Sequence, residues 1–175
     1  YMYLGIWLNG KQHGKGVEVW KDGRKYVGEF KNDKKDGKGT FLLPDGTKFI
    51  GQYKNGKRHG HGTYFGSNGD KYSGTFKDGI REGQGTLTLN SGNVFKGKFA
   101  KGKITEGTLI YKNGEKYVGE FEFNKPHGKG NLTYSNGAKF IGQFFDGLEL
   151  GEGTCINPNG SKITCTMSNL ENYLG

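Results

Sequence analysis

The 175-residue chain contains 34 glycines, only 31% hydrophobic residues and a mean hydropathy of −0.78, which is poor material for a conventional two-layer core. A deep catalytic cleft is therefore not expected, whereas an aromatic content of 14% and only three prolines argue against disorder. The net charge of +9 comes mainly from lysine, and because base-reading proteins rely on arginine, we expect no nucleic-acid partner.

The chain carries no signal for insertion into a membrane or for secretion. No apolar run approaches the roughly 20 residues of a membrane span, and the N-terminus lacks the regions of a signal peptide. Two cysteines are too few for a secreted disulfide scaffold. We therefore expect a soluble, cytoplasmic protein. Because it starts at Tyr1 and not at methionine, we also expect it to be a piece of a longer polypeptide.

A 23-residue repeat organises almost the whole sequence. It begins with an aromatic residue, and seven repeats start at residues 3, 26, 49, 72, 95, 117 and 140; the fifth is one residue short, and a degenerate eighth starts at 163. Counted from zero within a repeat, glycine recurs at positions 2, 7, 11, 13 and 20. The predicted domains are a repeat array at residues 1–167 and a tail at residues 168–175.

Two of these glycine positions predict turns. Position 20 follows Asp or Asn in most repeats, and Asp-Gly and Asn-Gly are strong hairpin signals. Position 7 is glycine except at Asp33 and Asn124, which are residue types that tolerate a positive φ. Each repeat is therefore predicted to be a β-hairpin. The predicted fold is all-β: an elongated, single-layer antiparallel meander of seven hairpins, with a degenerate eighth strand and a short C-terminal helix.

Aromatic residues occupy positions 0 and 4 of every repeat, on one face of the first strand. If the apolar positions 15 and 17 share that face, position 15 is expected opposite position 2 of the next repeat, position 13 opposite position 4, and position 17 opposite position 0. Rings over bare glycine backbone would then let one layer hold its shape. Without a second layer to cover them, these rings either pack on each other in a tightly curled trough or stay partly open as a partner-binding groove. The residues of the predicted groove are Trp7, Tyr26, Phe30, Phe49, Tyr53, Tyr72, Phe76, Phe95, Phe99, Tyr117, Phe121, Phe140 and Phe144.

The motif Tyr-x-Gly-x-aromatic, followed by His-Gly-x-Gly and then Asn/Asp-Gly, resembles the MORN (membrane occupation and recognition nexus) repeat. Residues 57–62 and 125–130 match it closely, whereas Glu106, Asp33, Asn124 and Cys165 depart from it. The resemblance implies an elongated twisted sheet that is not an enzyme by itself. It implies a scaffold that binds a protein segment, a helix by expectation, with homodimerisation through the C-terminal end.

Two other functions stay open. One is a tether at the membrane–cytoskeleton boundary that binds anionic phospholipids, and the other is the targeting module of a larger enzyme such as a lipid kinase or a SET methyltransferase. The lipid alternative depends on basic residues at positions 8, 9 and 12, which are expected along one long edge. The residues predicted to contact lipid are Lys34, Lys35, Lys57, Arg58, Arg81, Lys103 and Lys125.

No catalytic residue, metal site or cofactor is predicted. His13, His59 and His127 share position 10 and lie at least one repeat apart, too far for a common metal ion. Glu29 and Glu120 share position 3 and also lie far apart along the array, so they do not suggest paired-carboxylate catalysis.

The C-terminal end departs from the repeat. Cys155 and Cys165 are expected to face each other across neighbouring strands, as two buried thiols or, alternatively, as a disulfide. Residues 168–171 fit a helix-capping box, so the sequence predicts a short amphipathic helix from Asn169 to Leu174.

Overall fold

The computed structural model describes residues 1–166, and these contain strands and turns but no helix. The helix expected at residues 169–174 lies outside the described residues. Residues 1–90 form one compact unit, and residues 91–166 belong to a second. Among the described residues, no helix is long and apolar enough to cross a membrane.

Each unit is an antiparallel meander in which consecutive strands pair. The first unit contains β1 (Met2–Leu8), β2 (Lys11–Val19), β3 (Lys25–Lys31), β4 (Lys34–Leu42), β5 (Lys48–Lys54), β6 (Lys57–Phe65), β7 (Lys71–Lys77) and β8 (Ile80–Thr88). The second contains β9 (Val94–Ala100), β10 (Lys103–Ile110), β11 (Lys116–Glu122), β12 (Lys125–Thr133), β13 (Lys139–Phe145), β14 (Leu148–Ile156) and β15 (Lys162–Thr166). The all-β meander of hairpin repeats is confirmed.

Two kinds of turn join the strands. Within a repeat, positions 6 and 7 both have positive φ, as at Asn55 (51°) and Gly56 (83°), which is the backbone of a two-residue type I′ turn. Asp33 and Asn124 adopt the expected left-handed backbone at position 7, with φ of 67° and 63°.

Between repeats, the glycine at position 20 ends a three-residue loop. In the first such loop the Gly23 amide donates to the Trp20 carbonyl at 3.0 Å, and the Trp20 amide donates to the Arg24 carbonyl at 2.9 Å. The loop thus contains residues 21–23 and is centred on Asp22, and this centre sets the register between successive repeats.

The predicted register centred this turn on the glycine at position 20, whereas the observed loop is centred one residue earlier. Position 15 lies opposite position 0 of the next repeat, as in Glu18 with Tyr26, and position 13 lies opposite position 2, as in Gly16 with Gly28. The predicted pairings of 15 with 2, 13 with 4 and 17 with 0 are therefore wrong by two residues. Because the error is an even number, the assignment of residues to faces is unaffected.

The actual register aligns glycine with glycine across the strands. Pairs such as Gly28 with Gly39 and Gly39 with Gly51 continue through the first unit, and Gly119 with Gly130 is an example in the second. A Cβ atom at Gly28 would lie 2.5 Å from the Tyr26 Oη and 2.6 Å from the Gly39 Cα. Only glycine fits where a ring lies this close to the backbone.

The shorter fifth repeat has a structural cause. In other repeats position 11 is a glycine of positive φ within a bulge, such as Gly37, which lies between Lys35, paired with Phe30, and Gly39, paired with Gly28. In the fifth repeat only Thr105 separates Ile104, paired with Phe99, from Glu106, paired with Lys98. The missing residue is thus one residue of the bulge.

The structure joins Cys155 and Cys165 in a disulfide, so the expectation of two free thiols is wrong. The two residues are not directly opposite each other, because Cys155 pairs with Ile163 and Gly153 pairs with Cys165. They are diagonal neighbours on one face, and the bond ties β14 to β15.

Candidate functional site

A ladder of aromatic rings lies on one face of each unit. The ring at position 0 covers the two paired glycines of its own hairpin, as Tyr26 covers Gly28 and Gly39. It also makes edge-to-face contacts with the position-4 rings of its own and of the next repeat: Tyr26 is 5.1 Å from Phe30 and 5.2 Å from Tyr53 between ring centroids. Such contacts contribute about 0.5–1.5 kcal/mol each beyond burial.

The ladder is the core of the protein. Its twelve buried rings are Tyr26, Phe30, Phe49, Tyr53, Tyr72, Phe76, Phe95, Phe99, Tyr117, Phe121, Phe140 and Phe144. Among the residues proposed from the sequence to line a groove, Trp7 alone is largely exposed, at 57%. The contact of these rings with a partner stays a prediction, and the geometry moves the accessible surface to the neighbouring residues of the same face.

The neighbouring residues form what we call the second row, at positions 15 and 17. Because position 15 lies directly opposite position 0, its side chain is on the ladder's face. Most of the row is apolar, and these members are half-buried: Trp20, Phe41, Leu43, Tyr64, Leu87 and Leu89 in the first unit, and Leu109, Tyr111, Leu132 and Tyr134 in the second. The remaining members are Glu18, Gly66, Cys155 and Asn157.

A cleft of about 490 Å³ opens along the second row of the first unit. Phe41, Leu43 and Tyr64 line it, together with the basic side chains of Lys35 and Arg58. This volume is within the usual range of ligand pockets, and the lining combines apolar walls with a few charged groups.

The basic side chains at position 9 turn toward the rings. Lys35 Nζ lies 4.8 Å from the Trp20 centroid and 5.0 Å from that of Tyr26, and Arg81 Cζ lies 4.8 Å from that of Tyr72. Lys35 also pairs with Glu18 at 3.0 Å. Lys35, Arg58 and Arg81 therefore leave the predicted single edge and join the aromatic face.

The position-8 lysines remain exposed at the turns. Lys34, Lys57, Lys103 and Lys125 are all accessible, and Lys125 Nζ pairs with an Asp146 Oδ at 2.7 Å. The basic row predicted from the sequence is thus divided between two faces, because neighbouring residues of a strand point in opposite directions.

The second unit carries a different charge beside its ladder. Position 9 is Ile104, Pro126 and Glu149 there, and Ile104 and Pro126 are buried. The Tyr134 hydroxyl donates to Glu149. Burial and this hydrogen bond raise the pKa of Tyr134.

Other candidate groups have structural surroundings. In the described residues no group of three or more metal-ligating side chains is close enough to hold a metal ion. Glu29 and Glu120 accept hydrogen bonds from the backbone amides of Lys38 and Lys129 beside the bulge. His127 lies 3.2 Å from Glu122, between Nε2 and a carboxylate oxygen.

The repeat unit described above matches the profile of the MORN repeat at residues 3–23, 26–48, 49–71, 72–94, 117–139 and 140–162, which is more than half of the chain. This protein belongs to the MORN repeat family. The unmatched stretch of this MORN array between residues 95 and 116 is the repeat with the shortened bulge. MORN repeats are interaction modules that are generally not catalytic.

Two solved structures of low sequence identity share the fold of this MORN protein. The TCP domain of Drosophila melanogaster SAS-4 (dCPAP), in complex with a proline-rich motif of Ana2 (dSTIL), aligns over 87% of this chain and 84% of its own, with 15% identity and a TM-score of 0.55. The TCP10c domain of Drosophila melanogaster Sas-4 aligns over 87% and 93%, with 14% identity and a TM-score of 0.51. No curated protein matches the sequence significantly.

Sequence reasoning missed the second row as a surface and the inward turn of the position-9 side chains. One signal was present: across the hairpin, the odd positions 9 and 15 of the second strand lie opposite the even aromatic positions 4 and 0 of the first, so all four share one face. The repeat pattern alone does not predict how deeply the rings at positions 0 and 4 are buried, because their packing depends on which residues are paired across the strands.

Proposed function

We propose that this chain is a non-catalytic interaction module that binds an extended, proline-containing protein segment along its second row. The observation that carries the proposal is the contrast between the buried ladder and the half-exposed apolar row beside it. The ladder has no area left to offer a partner, whereas Phe41, Leu43 and Tyr64 line an open cleft. Exposed apolar surfaces of this kind are typical of partner sites.

The spacing of the hairpins favours an extended segment. Equivalent residues of successive repeats are two strands apart, a separation of about 9.6 Å at 4.7–4.9 Å per strand. A polyproline II helix advances about 9.3 Å in one turn of three residues, so every third side chain would meet an equivalent position of the array. Two turns of an α-helix advance about 10.8 Å, so the side chains of a helix would lose alignment with the repeats after fewer hairpins. The expected helical partner is therefore the poorer match.

The comparison with solved structures supports the same class of partner. A domain of the same fold, from Drosophila SAS-4, is in complex with a proline-rich motif. At 15% identity this likeness concerns the fold, so the partner class is carried over here as part of the proposal.

The membrane alternative has less geometric support. The position-8 lysines border a depression of about 950 Å³ whose lining includes Lys34 but also Glu29 and Asp36. Acidic groups among the lysines weaken attraction to an anionic surface. Homodimerisation through the C-terminal end stays a prediction that light scattering of the purified chain would test.

Selection from a displayed library of short random peptides tests the proposed site. We expect the selected sequences to be rich in proline and to lose about ten-fold or more in affinity for a Phe41→Ala/Tyr64→Ala variant, because those rings wall the cleft.

The matched control is Val27→Ala/Ile50→Ala, which removes two apolar side chains that are 41% and 43% exposed on the opposite face. Equal binding by the Phe41/Tyr64 variant, or the same loss in the Val27/Ile50 control, would contradict the proposed site.

A further inference from the structure

Two arginines lie on either side of one second-row tyrosine in the first unit. Arg58 Cζ is 5.8 Å and Arg81 Cζ is 6.0 Å from the centroid of the Tyr64 ring. Arg58 also lies 5.4 Å from the Phe76 centroid, and Arg81 lies 4.8 Å from that of Tyr72. Ladder rings therefore hold both guanidinium groups close to Tyr64, and Arg58 also lines the cleft.

Within residues 1–166 these two charges, Arg58 and Arg81, have no acidic partner at ion-pair distance. Asp70 acts on Arg81 from farther away, and its two oxygens accept hydrogen bonds from the Asn90 amide and the Asn68 side chain. Lys35, one repeat earlier, does have a counter-ion in Glu18.

The absence of a counter-ion is costly at this location. Both arginine side chains are only half-exposed, and burial lowers the pKa of the Arg81 guanidinium. Like charges on adjacent repeats also repel each other, and a bound carboxylate would relieve both effects. Arginine presents a planar fork of donors that suits a carboxylate. Arg58 already donates one hydrogen bond, from Nη2 to the Gly79 carbonyl at 2.9 Å.

We propose that Arg58 and Arg81 bind acidic residues three positions apart in the bound segment, with Tyr64 contacting the two apolar residues between them. This inference rests on the proposed function, because it uses the same cleft and the same extended conformation. One hairpin separates the two arginines, and one turn of a polyproline II helix carries an acidic side chain from the first to the second. The partner is thus an acidic, proline-containing segment.

The location of the charges favours a peptide over a lipid headgroup. Arg58 lies among the rings and lines the apolar cleft, whereas the position-8 lysines are exposed at the turns and one of them, Lys57, also borders the cleft. A segment with apolar and acidic side chains matches both parts of the lining. The preference belongs to the first unit, because position 9 of the second unit carries Ile104, Pro126 and Glu149 instead.

Fluorescence anisotropy of the full chain with labelled synthetic peptides tests this inference. The probes are (Glu-Pro-Pro), (Gln-Pro-Pro) and (Lys-Pro-Pro) repeated to about twelve residues, about four turns of polyproline II helix. We expect the Glu peptide to bind about ten-fold more tightly than the Gln peptide, and the Lys peptide to bind least. Added salt should reduce the affinity for the Glu peptide more than the affinity for the Gln peptide, because screening acts on the charged contacts.

Substitution of the two arginines supplies the decisive variant. In Arg58→Gln/Arg81→Gln the preference for the Glu peptide over the Gln peptide should disappear, while binding of the Gln peptide is retained and serves as a check of folding. Arg58→Lys/Arg81→Lys should keep part of the preference, because it keeps the charge but loses the fork. The matched control, Lys54→Gln/Lys77→Gln, removes two exposed charges from the same repeats at position 5 and should leave the preference unchanged.

The outcomes separate this inference from the proposed function. If the Glu and Gln peptides bind equally and the arginine variant changes neither, the acidic preference is wrong while the proline-segment site stands. If no proline peptide binds and the library yields none, the proposed function fails as well. If the arginine variant loses binding to vesicles of anionic phospholipid but not to the Glu peptide, the pair serves a lipid surface and the inference is overturned.

Discussion

The two units are built on the same ring ladder but carry different charges beside it. In the first unit, position 9 carries Lys35, Arg58 and Arg81 against the rings, whereas the second carries Ile104, Pro126 and Glu149. The rings and glycines beneath them hardly change between the units. Stability is therefore a property of positions 0, 2, 4 and 13, which every repeat must keep, and recognition can vary at position 9 without disturbing the fold.

The largest expected effect tests whether the ladder is equivalent in both units. Gly28→Ala in the first unit and Gly119→Ala in the second each place a methyl group 2.5 Å from a tyrosine hydroxyl oxygen, Tyr26 and Tyr117 respectively. Each substitution should lower the free energy of unfolding by about 3 kcal/mol, because neither the ring nor the paired glycine can move away. Urea denaturation measures it.

Exposed positions on the opposite face provide the control for this pair. Ser73→Ala and Lys96→Ala should change the unfolding free energy by less than about 0.5 kcal/mol. A loss in one unit with none in the other would show that the two ladders are not equivalent.

A second comparison concerns the disulfide, which is confined to the second unit because Cys155 and Cys165 both lie there. Its closed loop is short, with a sequence separation of 10, so reduction should cost about 2–3 kcal/mol by restoring freedom to the unfolded chain. Hydrogen exchange should show the loss in β13, β14 and β15 and leave the protection of β3 to β7 unchanged.

The same measurement on Cys155→Ser/Cys165→Ser controls for the reducing agent. That variant should already show the lowered protection, and adding reductant should then have no effect. Equal loss of protection in the first unit would mean that the bond stabilises the whole chain and does not distinguish the units.

The sequence was enough to predict the hairpin repeat, the family and the rings over glycine, because each depends on local residue types at a fixed period. Register was harder. Asp22-Gly23 predicted a turn but not its centre: the predicted pairing was centred on Gly23, whereas the observed three-residue loop is centred on Asp22, and this shift of one residue moves the register by two. The binding surface followed from the register: only after Glu18 is placed opposite Tyr26 do positions 15 and 17 become a second row beside a buried ladder. The disulfide depended on the same detail.

The smallest expected effect concerns a hydroxyl group at position 4 that only the ladder of the first unit carries, and it appears as a loss of stability at alkaline pH. Position 4 carries Tyr53 in the first unit but only phenylalanine in the second, at residues 99, 121 and 144. Burial raises the pKa of Tyr53 to about 12, whereas an unfolded tyrosine titrates near 10. A raised pKa in the folded state means that the stabilisation is complete below pH 10 and is lost as the pH rises toward 12.

Between pH 9 and pH 11, ionisation of Tyr53 in the unfolded chain should remove about 1 kcal/mol of stability. Tyr53→Phe keeps the ring, which is 5.4 Å from Phe49, and removes the ionisable group. Urea titrations at both pH values should show a smaller alkaline loss in this variant than in the parent, by about that amount. An unchanged alkaline loss would mean that Tyr53 ionises in the folded ladder as readily as in the unfolded chain, and that the ring is less well shielded than its 8% exposure indicates.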